Sequence, residues 1–94
     1  MTTSIDVLGT LKNAPVIAIL RGVTPNKVLG VSEFLISAGV KVIEVPLNSP
    51  EPLISIKLLH DSLPPEIIIG AGTVLSVEDV TNISKAGAQI CISP

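Results

Sequence analysis

Two hydrophobic patterns alternate along the chain. Short continuous apolar runs are one of them: Val16-Ile17-Ala18-Ile19-Leu20, a stretch from about Val40 to Leu47, Ile67-Ile68-Ile69, and Gln89-Ile90-Cys91-Ile92. Runs of that length bounded by Gly, Pro and Asn predict buried strands. Between them, apolar residues recur at helical spacing. Val28, Val31, Leu35 and Ala38 form one face, then Ile56, Leu59 and Leu63, then Val80, Ile83 and Ala86. Ile5, Leu8 and Leu11 predict a short leader helix, broken near Asn13 and Pro15.

Punctuation residues sharpen the boundaries. Thr24-Pro25 and Ser49-Pro50 each read as an N-cap followed by proline at the first helical position. Ser76 with Asp79 three residues on is a capping-box signature. Gly39 and Gly87 sit where helices close through a left-handed residue, and Pro64-Pro65 stops the middle helix. The order is a helix, then β-α-β-α-β-α-β, which implies parallel strands covered by helices. Ala38-Gly39-Val40-Lys41-Val42-Ile43 echoes Ala86-Gly87-Ala88-Gln89-Ile90-Cys91. Repeated βα units of this kind fit a (β/α)8 barrel or a doubly wound sheet.

Length then changes the picture. A complete barrel takes about 200–250 residues, and this chain has 94. The expected fold is α/β, of the (β/α)8 TIM-barrel type. The expected content is the first four βα units, a half barrel, after the leader helix. Residues 1–94 are expected to be the N-terminal half of a single barrel domain, truncated after its fourth strand.

Composition agrees with buried strands. Apolar residues make up 47% and charged residues 15%, with Phe34 the one aromatic. Net charge is −2 without a basic cluster, which argues against a nucleic-acid partner. No apolar run approaches the ~20 residues of a membrane helix. The first residues carry no basic segment of a signal peptide, and Cys91 stands alone. A cytoplasmic protein without membrane association is expected.

Barrel chemistry gathers at the C-terminal ends of strands. Here those ends offer Arg21-Gly22, Glu44 with Asn48, Gly72-Thr73 and Ser93-Pro94. A cation, a carboxylate, an amide, a hydroxyl and glycine backbone suit a small anionic, oxygen-rich substrate. Arg21 is either a fork for a carboxylate or phosphate, or a surface arginine. Glu44 is either a general acid/base with a pKa raised by apolar surroundings, or a structural partner of Arg21 or Lys41. Gly70-Ala71-Gly72-Thr73 lacks the spacing of a P-loop or dinucleotide fingerprint. It is a ligand contact or a tight strand exit, and the Thr73 hydroxyl is suited to a carboxylate. Asn48 orients a hydroxylated ligand or serves as a turn residue. Cys91 reads as a buried small hydrophobe and His60 as solvated. No Cys/His cluster has metal-ligand spacing, so no metal or other cofactor is expected. Lys12, Lys27, Lys41, Lys57 and Lys85 all fall away from strand C-termini.

Four motifs in order carry a resemblance. They are Pro15-Val16-Ile17-Ala18-Ile19-Leu20-Arg21-Gly22, Glu44-Val45-Pro46-Leu47-Asn48-Ser49-Pro50, Gly70-Ala71-Gly72-Thr73-Val74-Leu75, and Ala86-Gly87-Ala88-Gln89 leading to Ser93-Pro94. From about Asn13 onward the chain resembles the class I aldolases of 2-keto-3-deoxy-phosphosugar acids, the KDPG/KHG family. Leu47-Asn48-Ser49-Pro50 resembles the 6-phosphogalactonate type more than the 6-phosphogluconate type, which tends to carry arginine at the Asn48 position.

The resemblance implies a (β/α)8 barrel, usually a homotrimer. It implies reversible cleavage of a phosphorylated keto-deoxy sugar acid to pyruvate and glyceraldehyde 3-phosphate through a Schiff base, with no metal. Glu44 is then the proton-transferring residue, and Arg21, Thr73, Asn48 and Gly72 are substrate-binding residues. The Schiff-base lysine and the phosphate site are implied to lie past Pro94. The 94 residues alone are therefore expected to be inactive. A 2-dehydro-3-deoxy-6-phosphogluconate or 4-hydroxy-2-oxoglutarate aldolase, and a non-catalytic half barrel that covers its edges by self-association, remain as alternatives. A sugar-phosphate epimerase fits less well, because its metal ligands or paired acids are missing from these strand ends.

Overall fold

The computed structural model of the chain describes residues 7–93. Helix α1 spans Val7–Asn13 and strand β1 Ile17–Ile19. Helix α2 spans Pro25–Ser37, β2 Val42–Pro46, α3 Pro52–Ser62, β3 Ile68–Gly72, α4 Val77–Ala86 and β4 Ile90–Cys91. The four strands form one parallel sheet in the order β1-β2-β3-β4. This is the half-barrel arrangement of the TIM-barrel family that the alternation predicts. Ile5 and Pro94 lie outside the described residues.

Strand register divides the sheet into two faces. Ile17 pairs with Val42, Ile19 with Glu44, and Glu44 with Gly70. Side chains alternate along a strand. One face therefore carries Ile17, Ile19, Val42, Glu44, Pro46, Ile68, Gly70 and Gly72. The other carries Ile43, Val45, Ile69 and Ala71, which join Val28 of α2, Ile56 and Leu59 of α3 and Ile83 of α4 in the main core. Every residue of β2 and β3 is buried, as expected for central strands of a parallel sheet.

Helix ends follow the punctuation. Thr24 is the N-cap of α2, with Pro25 first in the helix. Gly39 takes φ +101°, and the Gly39 and Val40 N–H groups donate to the Ile36 and Leu35 carbonyls, a Schellman closure. The Ser76 hydroxyl accepts from the Asp79 N–H at 3.0 Å, and Asp79 Oδ2 accepts from the Leu75 N–H at 3.1 Å. Gly87 closes α4 at φ +109°.

Four expectations are corrected. Ser49-Pro50 does not start α3, because the N-cap is Glu51 and Pro52 is the first helical residue. The chain makes a turn over 46–49 first, closed by the Ser49 N–H donating to the Pro46 carbonyl at 3.0 Å. On α2 the buried row runs from Val28 to Ser32, while Val31 is exposed. The helix turns that row towards α3, whose Ser55 is likewise fully buried. Leu8 of the leader is exposed. Cys91 is exposed rather than buried, because among the described residues β4 has a strand neighbour on one side only.

Candidate functional site

Glu44 is the third of five residues in β2, with only 5% of its surface exposed. It lies on the face of the sheet turned away from the main helical core. Its neighbours in register are Ile19 and Gly70. The carboxylate leans along the strand and lies over Gly72. A Cβ built on Gly72 would lie 2.5 Å from the Glu44 carboxyl carbon and 2.8 Å from Oε2. Any side chain at Gly72 would therefore occupy the seat of the carboxylate. Gly70 is filled from its other neighbour, with Ile90 Cγ1 2.6 Å from where a Cβ would stand. The two glycines of β3 thus make room for two different side chains.

The Glu44 carboxylate is poorly compensated. Oε2 is buried and has no hydrogen-bond partner among the described residues. Buried polar atoms nearly always have one. Burial raises the carboxyl pKa above its ordinary 4.5, and the field of Arg21 opposes that rise. A carboxyl group so placed is suited to taking up and releasing a proton.

The remaining site candidates gather at the same end of the sheet. Arg21 follows β1, is exposed, and reaches Glu44 through its charge. Asn48 is exposed in the turn after β2. Thr73 follows β3 directly, is half-buried, and adopts φ +58°. Left-handed backbone at a β-branched residue is a true outlier and costs about 1–3 kcal/mol. Its loop is pinned on both sides. The Leu47 N–H donates to the Gly72 carbonyl at 2.9 Å, and the Val74 N–H donates to the Ile92 carbonyl at 3.2 Å.

Ser49 carries only the signature of a helix cap in the sequence, because serine before proline imitates one, whereas the N-cap of α3 is Glu51. Ser49 is buried, and its Oγ accepts from the Gly22 N–H at 3.1 Å while standing 3.4 Å from the Leu20 carbonyl as donor. It joins the β1 exit to the β2 exit. Among the described residues there is no group of three or more His, Cys, Asp and Glu able to hold a metal ion. No helix among them is long and apolar enough to cross a membrane. Lys12, Lys27, Lys57 and Lys85 lie on helices, and Lys41 stands just before β2.

Comparison with known proteins decides the family. The family model described as KDPG and KHG aldolase matches residues 7–94. The chain belongs to the KDPG and KHG aldolase family. It is 44% identical over 80 residues to a probable 2-dehydro-3-deoxy-6-phosphogalactonate aldolase of Rhizobium meliloti (strain 1021), an alignment covering 85% of this chain and 38% of that protein. It is 32% identical over 84 residues to the KHG/KDPG aldolase of Escherichia coli (strain K12), covering 89% of this chain and 39% of the relative. A solved structure named native KDPGal superposes with a TM-score of 0.82 at 42% identity, covering 85% of this chain and 39% of that one. The chain spans about two fifths of the length of these aldolases. Glu44, Arg21, Asn48, Gly72 and Thr73 all lie within the part of the chain that matches the family model.

Proposed function

We propose that the chain supplies the acid/base half of a class I aldolase site, acting on 2-dehydro-3-deoxy-6-phosphogalactonate to give pyruvate and glyceraldehyde 3-phosphate. The observation that carries this reading is the buried, unpartnered Glu44 carboxylate at the centre of the sheet, beneath an arginine and a threonine at strand ends. In this reading a lysine amine from outside these 94 residues attacks the keto carbon and forms a Schiff base. Glu44 first gives a proton to the departing hydroxyl of the carbinolamine. It then takes the proton of the sugar hydroxyl as the carbon–carbon bond breaks, and the bonding electrons flow into the iminium. Arg21 and Thr73 hold the carboxylate end, and Asn48 meets a substrate hydroxyl. Gly72 contributes indirectly, by leaving the space in which Glu44 sits.

The galactonate substrate is favoured by the higher identity to the galactonate-named relative, 44% against 32%, and by the asparagine at position 48. The assembled enzyme is proposed to be a cytoplasmic homo-oligomer.

The test is an aldolase assay with that substrate, following pyruvate release with borohydride trapping alongside. The 94 residues alone are expected to be silent. Joined to the C-terminal part of the Escherichia coli relative they are expected to turn over. Glu44→Gln in the joined protein is expected to lose activity on the order of 10²- to 10⁴-fold. A pyruvate adduct trapped on a lysine of the 94-residue chain, or full activity in Glu44→Gln, would overturn the reading.

A further inference from the structure

Strands β1 and β2 pair in parallel, and their ladder breaks at a definable bond. A residue in a parallel strand donates to the residue before its partner and accepts from the residue after it. The Leu20 N–H donates to the Glu44 carbonyl at 2.9 Å. The next bond in sequence should run from the N–H of residue 46 to the Leu20 carbonyl. Residue 46 is proline, which has no N–H. The turn over 46–49 brings Ser49 back to this point. Its hydroxyl stands 3.4 Å from the Leu20 carbonyl and accepts from the Gly22 N–H at 3.1 Å. One side chain thus binds on both sides of Arg21. Ser49 is itself 6% exposed; its contact with the Leu20 carbonyl is buried, and its bond from the Gly22 N–H is half-buried.

We infer that Ser49 is the positioning residue of Arg21: its hydroxyl takes the place of the ladder bond that Pro46 cannot donate, and so holds the Leu20–Gly22 exit, with Arg21 in it, at the Glu44 end of the β1–β2 ladder. Proline at the end of β2 and serine three residues later are one device. The proline releases the chain from the ladder so that it can turn, and the serine returns the lost hydrogen bond. The Ser49 hydroxyl bonds backbone groups on either side of Arg21, and the role inferred for it needs no contact with substrate. It acts through Arg21, the charged group whose field is felt at Glu44. The strand on the other side of Glu44 presents Gly70 and Gly72, which carry no charge.

The inference rests on the role proposed for Glu44, but its test needs no turnover. The readouts are amide hydrogen exchange at Gly22 and NMR titration of the Glu44 carboxyl. In the unmodified chain the Gly22 amide is expected to exchange at least ten-fold more slowly than an unbonded loop amide. In Ser49→Ala that protection is lost, and the Glu44 titration midpoint moves upward as Arg21 leaves. Ser49→Thr keeps the hydroxyl and is expected to keep both values. If Ser49→Ala does not fold, the unmodified chain and Ser49→Thr still decide. An unprotected Gly22 amide in the unmodified chain, or protection and midpoint unchanged in a folded Ser49→Ala, overturns the inference. A Glu44 midpoint that responds to Ser49, in a joined protein whose turnover ignores Glu44, would keep the clamp and remove the aldolase role.

Discussion

At the end of β2 the chain leaves the sheet through Pro46 and returns to it through the Ser49 hydroxyl. At the end of β3 it leaves through Gly72 and a threonine at φ +58°. The first exit is built from side chains: a buried carboxylate, a proline and a hydroxyl that bridges to the neighbouring strand. The second is built from backbone: a missing Cβ and a strained dihedral. They meet at one place, because the carboxylate of the first fills the gap left by the second. A buried side chain can be seated by subtraction on the adjacent strand, which gives it room without giving its charge a partner.

That contrast is broken most directly by filling the gap. Gly72→Ala places a methyl group against the Glu44 carboxyl and is expected to destabilise the chain by about 1–3 kcal/mol. Pairing it with Glu44→Ala should recover most of the loss, as read by urea denaturation; additive losses would show that the glycine serves something else.

The next test removes the charge and leaves the shape. Burial raises the Glu44 carboxyl above its ordinary value, so the folded chain holds that proton more tightly than the unfolded chain. The stability linked to this group is complete below the unfolded value and is lost as pH rises through the folded one. Glu44→Gln is therefore expected to stabilise by about 0.5–2 kcal/mol at neutral pH. Its advantage should vanish below about pH 4, where the carboxyl is protonated in both states. Equal effects at both pH values would contradict the stated cause of the raised pKa.

Thr73→Gly examines the backbone exit. Relief of the left-handed strain and the greater freedom of glycine in the unfolded chain oppose each other, so stability should change by less than about 1 kcal/mol. Activity in a joined barrel should still fall at least ten-fold. A large stability change with activity intact would make Thr73 a structural residue. The reference for all of these is Lys57→Ala on the outside of α3, which breaks an exposed 3.1 Å pair with Asp61. It should cost less than about 0.5 kcal/mol.

Most of the fold could be read from the sequence because it is written in local chemistry. The Gly39 and Gly87 closures, the Ser76–Asp79 cap and the Thr24-Pro25 start each depend on residues within one turn of each other. Glu44 was legible as a carboxylate in an apolar run. The roles of Ser49 and Gly72 were not, because each is defined by a partner on another strand. Ser49 before proline has the local signature of a cap, and only the fold shows it facing Gly22. Gly72 has no side chain to interpret until Glu44 is seen leaning over it. Cys91 reads as buried from sequence and is exposed in the fold for a related reason: a strand's composition does not say whether both of its flanks are covered.

The strand register has a consequence for how the sheet opens. Ile17 pairs with Val42, Val42 with Ile68, and Gly70 with Ile90, so each pairing closes a loop containing a single helix. The half barrel is in effect a linear array of similar βαβ steps, each coupled to its nearest neighbours. Among the described residues β1 and β4 are the outer strands, and such an array taken by itself frays from its outer members, so the β2–β3 pair is the last to separate. Glu44 stands in that last surviving pair, and Arg21 stands on the strand at one end. Amides of β2 should thus be the slowest to exchange, and the carboxylate should outlast its cationic neighbour in every partial opening that begins at β1.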